Sequence, residues 1–466
     1  MSNPTPRPPF PSGFRERTGL LLYRALWWLV WPLALVYLWR RGRKEPLYRR
    51  FISERWGRVH CRLDRPIWVH CASLGELRGA APLLRALLAD GEPVWITTLT
   101  AAGRSAVHKM FGHELARGLL QTSYPPMELS SAVRRFIRLL RPRGVIMTEN
   151  DTWPVLLSTI RSEGIPLCMA NAQYSEKSLA RDLRWGGFRA AVFRCYDLVL
   201  CKSETHAERF RRVRCGRVEV AGEIRFDYPL PQSQLDAARA AVQHFGLGDG
   251  ARSVIALVSI VEGEEGIIQA VMQRLSSDPS LARSGRPLFV HVPRQPHRFD
   301  AVASALAGAG FKVLRRSQCL DADLGPIASG QAEIDLEWAD ADVLLGDSLG
   351  EMFFYLALAQ IVVVGGSFTP MGAHNVIEPM ALAKPVIVGP VIWTIEFPAV
   401  EALAAGALAQ VADGPSLVDA LLERMVSPAA QEEAARCAER FYQAHAGATE
   451  RHLAVLRPWL RAGRNR

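Results

Sequence analysis

The sequence predicts an α/β protein built in two parallel-sheet halves behind an amino-terminal membrane-anchor helix. Three observations predict it. Residues 19–39 form an apolar run of 21 residues whose only charge is Arg24. From Pro66 onward short apolar runs alternate with longer amphipathic stretches, broken once by polar, Pro-containing text after Asp227. Where an apolar run yields to a helical pattern, the junction is polar or Gly-rich. Such alternation gives parallel strands covered by helices on both faces, and two stretches of it give two Rossmann-like halves. A length of 466 residues fits roughly two or three domains.

At about 1.5 Å per residue the apolar run reaches across a hydrocarbon core of about 30 Å. Its four tryptophans and two tyrosines favour the headgroup level, so a tilted span and a shallow in-plane helix are both open, and Pro32 is a site for a kink. Arg40, Arg41, Arg43, Lys44, Arg49 and Arg50 follow the run, against Arg7, Arg15 and Arg17 before it, which places the large domains in the cytoplasm. The net charge of +10 suggests nucleic acid until it is divided: +9 lies in residues 1–58, +5 in the last sixteen and −4 in residues 59–450. That distribution suits an enzyme held on an anionic membrane and gives no nucleic-acid partner. The arginines of a final helix returning to the first half are expected to face the same membrane. With 49% apolar and 22% charged residues, the chain is neither disordered nor multi-spanning. Eight scattered cysteines, none at zinc or redox spacing, read as small core residues in a reducing compartment.

In the first half the runs IWVHCASL, VWITTLT, RGVIMTEN, PLCMANA and DLVLCKS predict strands. Helices follow them over residues 76–88, from 101, over 153–161, from 178 and over 204–212. PLPQSQLDAARA reads as a linker. In the second half SVIALVS, PLFVHVP, FKVLRR, ADVLLGD, QIVVVGGS and KPVIVGP predict strands. The expected boundaries are an anchor with its basic flank over 1–58, a first half over 59–230, a linker over 231–250, a second half over 251–430, and terminal helices over 431–466 that pack back on the first half.

Ligands of open α/β sheets bind at the carboxyl ends of strands, near helix amino termini. The junctions there are SLGEL, TLTAAG, TENDTWP, NAQYSEKS, SIVEGEE, VPRQPHRF, GDSLGE and GGSFTPMGAHNVIEP. In the last, a glycine-flanked loop leads to a helix starting near Asn375 and carrying Glu378; free amides there suit a phosphate and the carboxylate suits a ribose diol, although a capping loop is an equal reading. In GDSLGE, Asp347 or Ser348 can cap a helix and Gly350 permits close backbone approach. Arg294 and Arg298 follow a strand end and can fork a phosphate. Glu76 in SLGEL stands at a helix start, where its pKa is expected to be lowered, leaving an ionised general base. Glu149 and Asp151 form a second acidic junction, at i and i+2. His60, His70 and His291 stand among apolar residues and read as core. Neither G-x-G-x-x-G after the first strand nor a P-loop motif is present, so dinucleotide oxidoreductase and P-loop chemistry lack support.

The anchor, HCASLGE, TTLTAAG, the Glu-x-Asp-x-Trp-Pro block, NAQYSEKS, KSE, GEIRFD, EGEE, VPRQPHRF, LLGDSLGE and VVVGGSFTPMGAHNVIEPMALAKPVIVGP together resemble the Kdo transferases, over nearly the whole chain. These enzymes attach 3-deoxy-D-manno-octulosonic acid (Kdo) to a lipid A precursor in lipopolysaccharide biosynthesis. The resemblance implies the GT-B architecture, two Rossmann-like domains facing across a cleft, anchored on the cytoplasmic face of the inner membrane. It implies CMP-Kdo as donor, inversion at the anomeric carbon, and no metal or other cofactor. It places the catalytic carboxylate at Glu76, within Ser73, Gly75 and Glu76, and the nucleotide contacts at Pro293, Arg294, the 346–351 loop (Gly346, Ser348, Gly350, Glu351), Asn375 and Glu378. Glu149 and Lys177 are expected to support the acceptor or the transition state, with Lys177, Arg181 and Arg184 drawing in a phosphorylated lipid. Typical members carry Glu-Thr-Glu-Leu-Trp-Pro where this chain has Glu149, Asn150, Asp151, Thr152, Trp153 and Pro154. They carry Thr-His where it has Ile260 and Val261, which replaces two polar side chains near the expected donor site. Three rivals follow: a transferase of the same build using another activated acid sugar or acceptor, a nucleotide-sugar epimerase, and a catalytically impaired membrane-attached homologue.

Overall fold

The computed structural model describes residues 10–184, 187–247, 252–281, 286–325, 327 and 338–464. Arg7, Arg466 and residues 248–250 of the expected linker lie outside the described residues. The chain divides into two compact units, Met1–Tyr228 with Gly447–Arg466, and Pro229–Ala446.

The first unit holds strands β1 (Ile67–His70), β2 (Val94–Thr97), β3 (Leu120–Ser123), β4 (Gly144–Thr148), β5 (Leu167–Ala172), β6 (Leu198–Cys201) and β7 (Arg217–Val220). They pair in the order β3-β2-β1-β4-β5-β6-β7, all parallel. The order reverses between β1 and β4, so the carboxyl ends of those two strands open a crevice where Rossmann-type sheets bind ligands. Every residue of β1, β2, β4, β5 and β6 is buried, as a sheet covered on both faces requires. Two apolar clusters cover it, one around Trp68, Phe136 and Phe193 and one around Leu84, Phe111 and Leu456.

Helix α1 (Phe14–Lys44) contains the apolar run and continues through Pro32. It is the one described helix long and apolar enough to cross a membrane. Leu20, Trp31 and Leu38 are buried against the first unit, with Trp31 edge-on to Trp56 and Gly19 beside the Phe188 ring. Glu16 pairs with the buried Arg194. Leu22, Leu29 and Leu33 point to solvent, each at least 67% exposed.

The second unit holds β8 (Val254–Ile260), β9 (Leu288–Pro293), β10 (Val313–Arg315), β11 (Val343–Leu345), β12 (Ile361–Val364), β13 (Val386–Val388) and β14 (Ala409–Gln410), in the order β10-β11-β9-β8-β12-β13-β14. All its pairs are parallel, and the order reverses between β8 and β12. The stretch expected as linker is ordered instead: Gln232–His244 is a helix, built from Gln, Ala and Leu residues of high helical propensity. The edge strands β3, β7 and β14 have no counterpart in the apolar pattern, because LQTS and RVEV carry polar residues and β14 has two residues.

The terminal helices separate. Pro428–His445 belongs to the second unit, and Ala448–Arg464 lies in the first, where Leu453, Leu456 and Leu460 are buried in its core. Asp227 accepts from the N–H groups of Gly447 and Thr449 at the start of this last helix. Two of its arginines have partners within the protein. Arg451 donates to the Ala221 carbonyl at 3.0 Å and Arg457 pairs with Asp90 at 2.7 Å, so they dock the helix onto its own unit.

Candidate active site

Glu76 is delivered by the first turn of the helix Leu74–Ala89, directly after β1. Ser73 caps this helix, its Oγ accepting from the Glu76 N–H at 3.2 Å. The half-buried Glu76 carboxylate accepts from the Ala72 N–H at 2.8 Å, from Thr148 Oγ1 at 3.1 Å and from Ser73 Oγ at 3.3 Å. Its pKa is nevertheless raised, which overturns the expected lowering at a helix start. Burial is the main cause and the charge of Glu149 the second, and together they outweigh the three hydrogen bonds. Gly75 is exposed, and a Cβ there would meet only Ser73 Oγ, at 3.7 Å. Protein packing does not require glycine at that position, so the space beside Glu76 is open.

Thr148 ends β4 and Glu149 and Asp151 follow it, on the other side of the crevice. Glu149, at a left-handed φ of 60°, accepts from Arg225 Nη2 at 2.8 Å and Gln173 Nε2 at 3.2 Å, with Lys202 Nζ 3.6 Å away. Lys202 itself is buried and pairs with the equally buried Glu223 at 2.7 Å. Asn171 joins them, donating from Nδ2 to Glu223 at 2.9 Å and accepting from the Ile224 N–H at 3.0 Å. Burial alone would raise the pKa of Glu223, but Lys202 and Arg225 prevail and hold it down at about 2.

Asp151 turns the other way. Trp153 Nε1 donates to its Oδ1 at 3.2 Å, and Oδ2 faces His70 Nε2 at 3.5 Å. Both Oδ2 and Nε2 are buried and lack any closer partner. Burial, then the charges of Glu76 and Glu149, push Asp151 up to about 7. Burial pushes His70 down to about 4, so the ring is neutral. Its Nδ1 lies 2.8 Å from Thr97 Oγ1, which already accepts from Trp68 Nε1 at 2.8 Å. The Thr97 proton is therefore available to Nδ1, which leaves the ring proton on Nε2, facing Asp151. His70 thus belongs to the site rather than to inert core, and His60 is exposed; His291 alone of the three is core. Lys177 is exposed on the helix Glu176–Leu183.

In the second unit the candidate donor residues stand at the carboxyl ends of four adjacent strands, β11, β9, β8 and β12. Pro293 ends β9, and the exposed Arg294 follows, its N–H donating to the Ile260 carbonyl at 2.8 Å. Burial lowers the pKa of His374 to about 4, and the charge of Arg294 adds to it, which sets Arg294 near the loop after β12. Arg298 is committed to Glu265 at 2.7 Å and Glu262 at 3.3 Å. After β11, Asp347 and Ser348 do not cap the next helix, Met352–Leu358, as expected. Asp347 is held instead by Arg315, at the end of the neighbouring β10, at 2.7 Å and by the N–H of Ser317 just beyond it at 2.8 Å. Ser348 bonds to Glu351 and to Tyr355, and Glu351 pairs with Arg316 at 2.6 Å. Gly350 adopts a left-handed φ of 92°. After β12, Asn375 Oδ1 accepts from the Ile377 N–H at 3.0 Å and starts the short helix Ile377–Met380, in which Glu378 is half-buried. The loop is shaped by the buried Glu264, whose carboxylate accepts from the N–H groups of Gly366 at 2.7 Å, Phe368 at 2.8 Å and Val261 at 3.1 Å. A Cβ at Gly365 would come within 2.7 Å of the Ser259 carbonyl, so only glycine fits there.

A family model described as 3-deoxy-D-manno-octulosonic-acid transferase (kdotransferase) matches residues 50–228. The 3-deoxy-D-manno-octulosonic acid transferase of Bordetella pertussis is 37% identical over 436 residues, 92% of this chain and 96% of that one. The chain belongs to the Kdo transferase family. The transferase of the same name from Haemophilus influenzae is 27% identical over 94% of this chain and 98% of its own. Among solved structures, UDP-GlcNAc 2-epimerase from Neisseria meningitidis bound to UDP-GlcNAc aligns with a TM-score of 0.55 and 13% identity, over 85% of this chain and 100% of that one. That likeness is one of fold and fits the two Rossmann-like halves of the GT-B class.

In this Kdo transferase the chemistry-bearing residues that motif reading left without a role are Asp151, His70, Asn171, Lys202, Glu223 and Glu264. Each sits inside a block that carried the resemblance, yet its partner stands on another strand. Ile260 and Val261, expected to alter the donor site, are buried at 3% and 1% exposure, and Ile260 packs in the core of the second unit.

Proposed function

We propose that this enzyme transfers Kdo from CMP-Kdo to a sugar hydroxyl of a lipid A precursor, with inversion and with Glu76 as the base. The observation that carries the reading is the Glu76 carboxylate: fixed by three donors at a strand-order reversal, raised in proton affinity, and flanked by open space at Gly75. A raised pKa makes it a stronger base at working pH. The acceptor hydroxyl gives its proton to Glu76 as its oxygen attacks the anomeric carbon, from the face opposite CMP. The bond from that carbon to the CMP phosphate oxygen breaks, and CMP leaves with the electron pair. Arg294 and the amides of the 346–351 and 372–376 loops neutralise the departing phosphate, and Glu378 holds the ribose. Glu149 positions Arg225 and Lys202 beside the base, and exposed Lys177 draws the phosphorylated acceptor toward it. The outward leucines of α1 and the arginines at and beyond its carboxyl end hold the enzyme on the cytoplasmic face of the inner membrane. The likeness to Kdo transferases over nearly the whole chain supports Kdo over another acid sugar.

The test is a transfer assay with purified protein and a lipid A precursor, comparing CMP-Kdo with other CMP-sugars and with UDP-sugars, product mass recorded. Products with Kdo mass increments from CMP-Kdo alone support the reading, and transfer of another sugar overturns it. Glu76→Ala should lower turnover about 100-fold or more while CMP binding persists. A mutant with the wild-type rate removes Glu76 from the role.

A further inference from the structure

A cavity of about 180 Å³ lies within the first unit between α1 and the carboxyl ends of its strands. Its outer wall is the stripe Trp27, Trp31 and Leu38 of α1, and its inner wall includes Pro126, Met127 and Leu156. The lining is apolar apart from Arg55, Glu128, His70 and Tyr37; the Tyr37 hydroxyl accepts from Arg41 at 2.8 Å, and Glu128 is already occupied by the N–H groups of Val155 at 3.0 Å and Leu156 at 2.7 Å. Arg55 donates to the Leu99 carbonyl at 3.3 Å and lies over the Tyr124 ring. At one end the lining reaches His70 and Trp153, the two side chains that contact Asp151. The cavity therefore runs from the apolar helix to the shell of the acidic cluster that contains Glu76.

Helix α1 is apolar on both sides of its axis, which is the second observation. Trp27, Trp31 and Leu38 face the cavity, whereas Leu22, Leu26, Leu29 and Leu33, offset by two residues and so about 200° around the helix, are exposed. A helix that only anchors needs one apolar face toward lipid; the other here walls a partly open apolar cavity. Resting on the Kdo-transfer reading, we infer that this cavity receives an acyl chain of the lipid acceptor, entering alongside α1 and bringing the attached sugar to Glu76. Both stripes lie on one helix, so a chain held against the outer leucines reaches the cavity by passing around α1. The acceptor is then selected by its tail as well as its headgroup.

The experiment fills the cavity. Ala34, on its wall, is replaced in Ala34→Trp, and Met127→Trp fills it from the opposite side. Transfer is measured with the acylated precursor and with the same phosphorylated disaccharide stripped of its chains. The ratio of kcat/KM for the acylated to the stripped acceptor should fall about tenfold in both variants, mostly through KM. A ratio that stays at the wild-type value overturns the inference, whether or not both activities drop together. A second measurement does not depend on the variants: an acceptor carrying a diazirine on one chain is photolysed with the wild-type protein and the adducts are mapped by mass spectrometry. Adducts on Trp31, Met127 or Leu156 support the cavity as the chain site. Adducts confined to Leu22, Leu29 and Leu33 overturn it. Failure of the wild-type enzyme to transfer Kdo to either acceptor would sink the functional reading instead, and the photolabel reports separately on the cavity.

Discussion

Glu76 and Asp151 are carboxyls that burial pushes the same way, and they differ in what reaches them. Glu76 accepts three hydrogen bonds; Asp151 accepts one, from Trp153, and its other oxygen faces only the neutral His70. The environments set the two acids apart: Glu76, the proposed base, keeps three donors, while Asp151 keeps its proton near neutrality, at about 7. The folded protein thus binds the Asp151 proton more tightly than the unfolded chain, whose value is near 3.8. The stability this confers is complete below pH 3.8 and is lost as pH rises through about 7. Asp151→Asn should accordingly raise the melting temperature relative to wild type at pH 8 and leave it little changed at pH 4, read by thermal denaturation. An equal effect at both pH values would mean that the side chain is ionised throughout. Glu76 was legible because its motif stands at a strand-to-helix junction. Its raised pKa was not, because the charge of Glu149 comes from another strand, 73 residues further on. Asp151 and His70 escaped for the same reason: nothing local in the sequence says that an acid after β4 faces a histidine at the end of β1.

At the scale of elements, the loop after β12 depends on one buried carboxylate. Glu264 takes N–H groups from both Gly366 and Val261 on a single oxygen. In Glu264→Gln an amide group must stand against those donors or leave them unpaired. The expected cost is about 1.5–3 kcal/mol of stability, measured by chemical denaturation, with a weaker CMP affinity by calorimetry. Unchanged CMP binding would separate this loop from the nucleotide site. The central strands were readable from runs such as IVVVGG because strands buried on both faces must be continuously apolar. The edge strands were not, since one exposed side lets Gln121, Thr122 and Glu219 stand in them. The ordered helix Gln232–His244 was hidden by the prolines before it, which mark a break but not its length.

At the scale of the molecule, the first unit is discontinuous in sequence. Its last helix supplies Leu453, Leu456 and Leu460 to the core, and His452 Nε2 accepts from the Asn171 N–H at 3.2 Å, next to the Glu223 network. At about 1.5–3 kcal/mol for each buried leucine, their removal rivals the whole stability of a domain. A chain ending at Ala446 should therefore lose the cooperative melting of the first unit and with it transfer activity, as followed by calorimetry and the transfer assay. Retention of wild-type melting would show that the helix is dispensable. The partition of charge has its counterpart here: the basic flank closes α1 and continues beyond it, whereas Arg451 and Arg457 of the tail are used in docking.

This discontinuity also sets an order of events during synthesis. Helix α1 leaves the ribosome first, but the core of the first unit is not closed until residues 447–464 have been made. The intervening Pro229–Ala446 takes roughly 10–45 s at common translation rates. Throughout that interval the Asn171–Glu223 network lacks its His452 contact, and a product truncated before Gly447 carries every candidate residue of the first unit without the helix that closes its core.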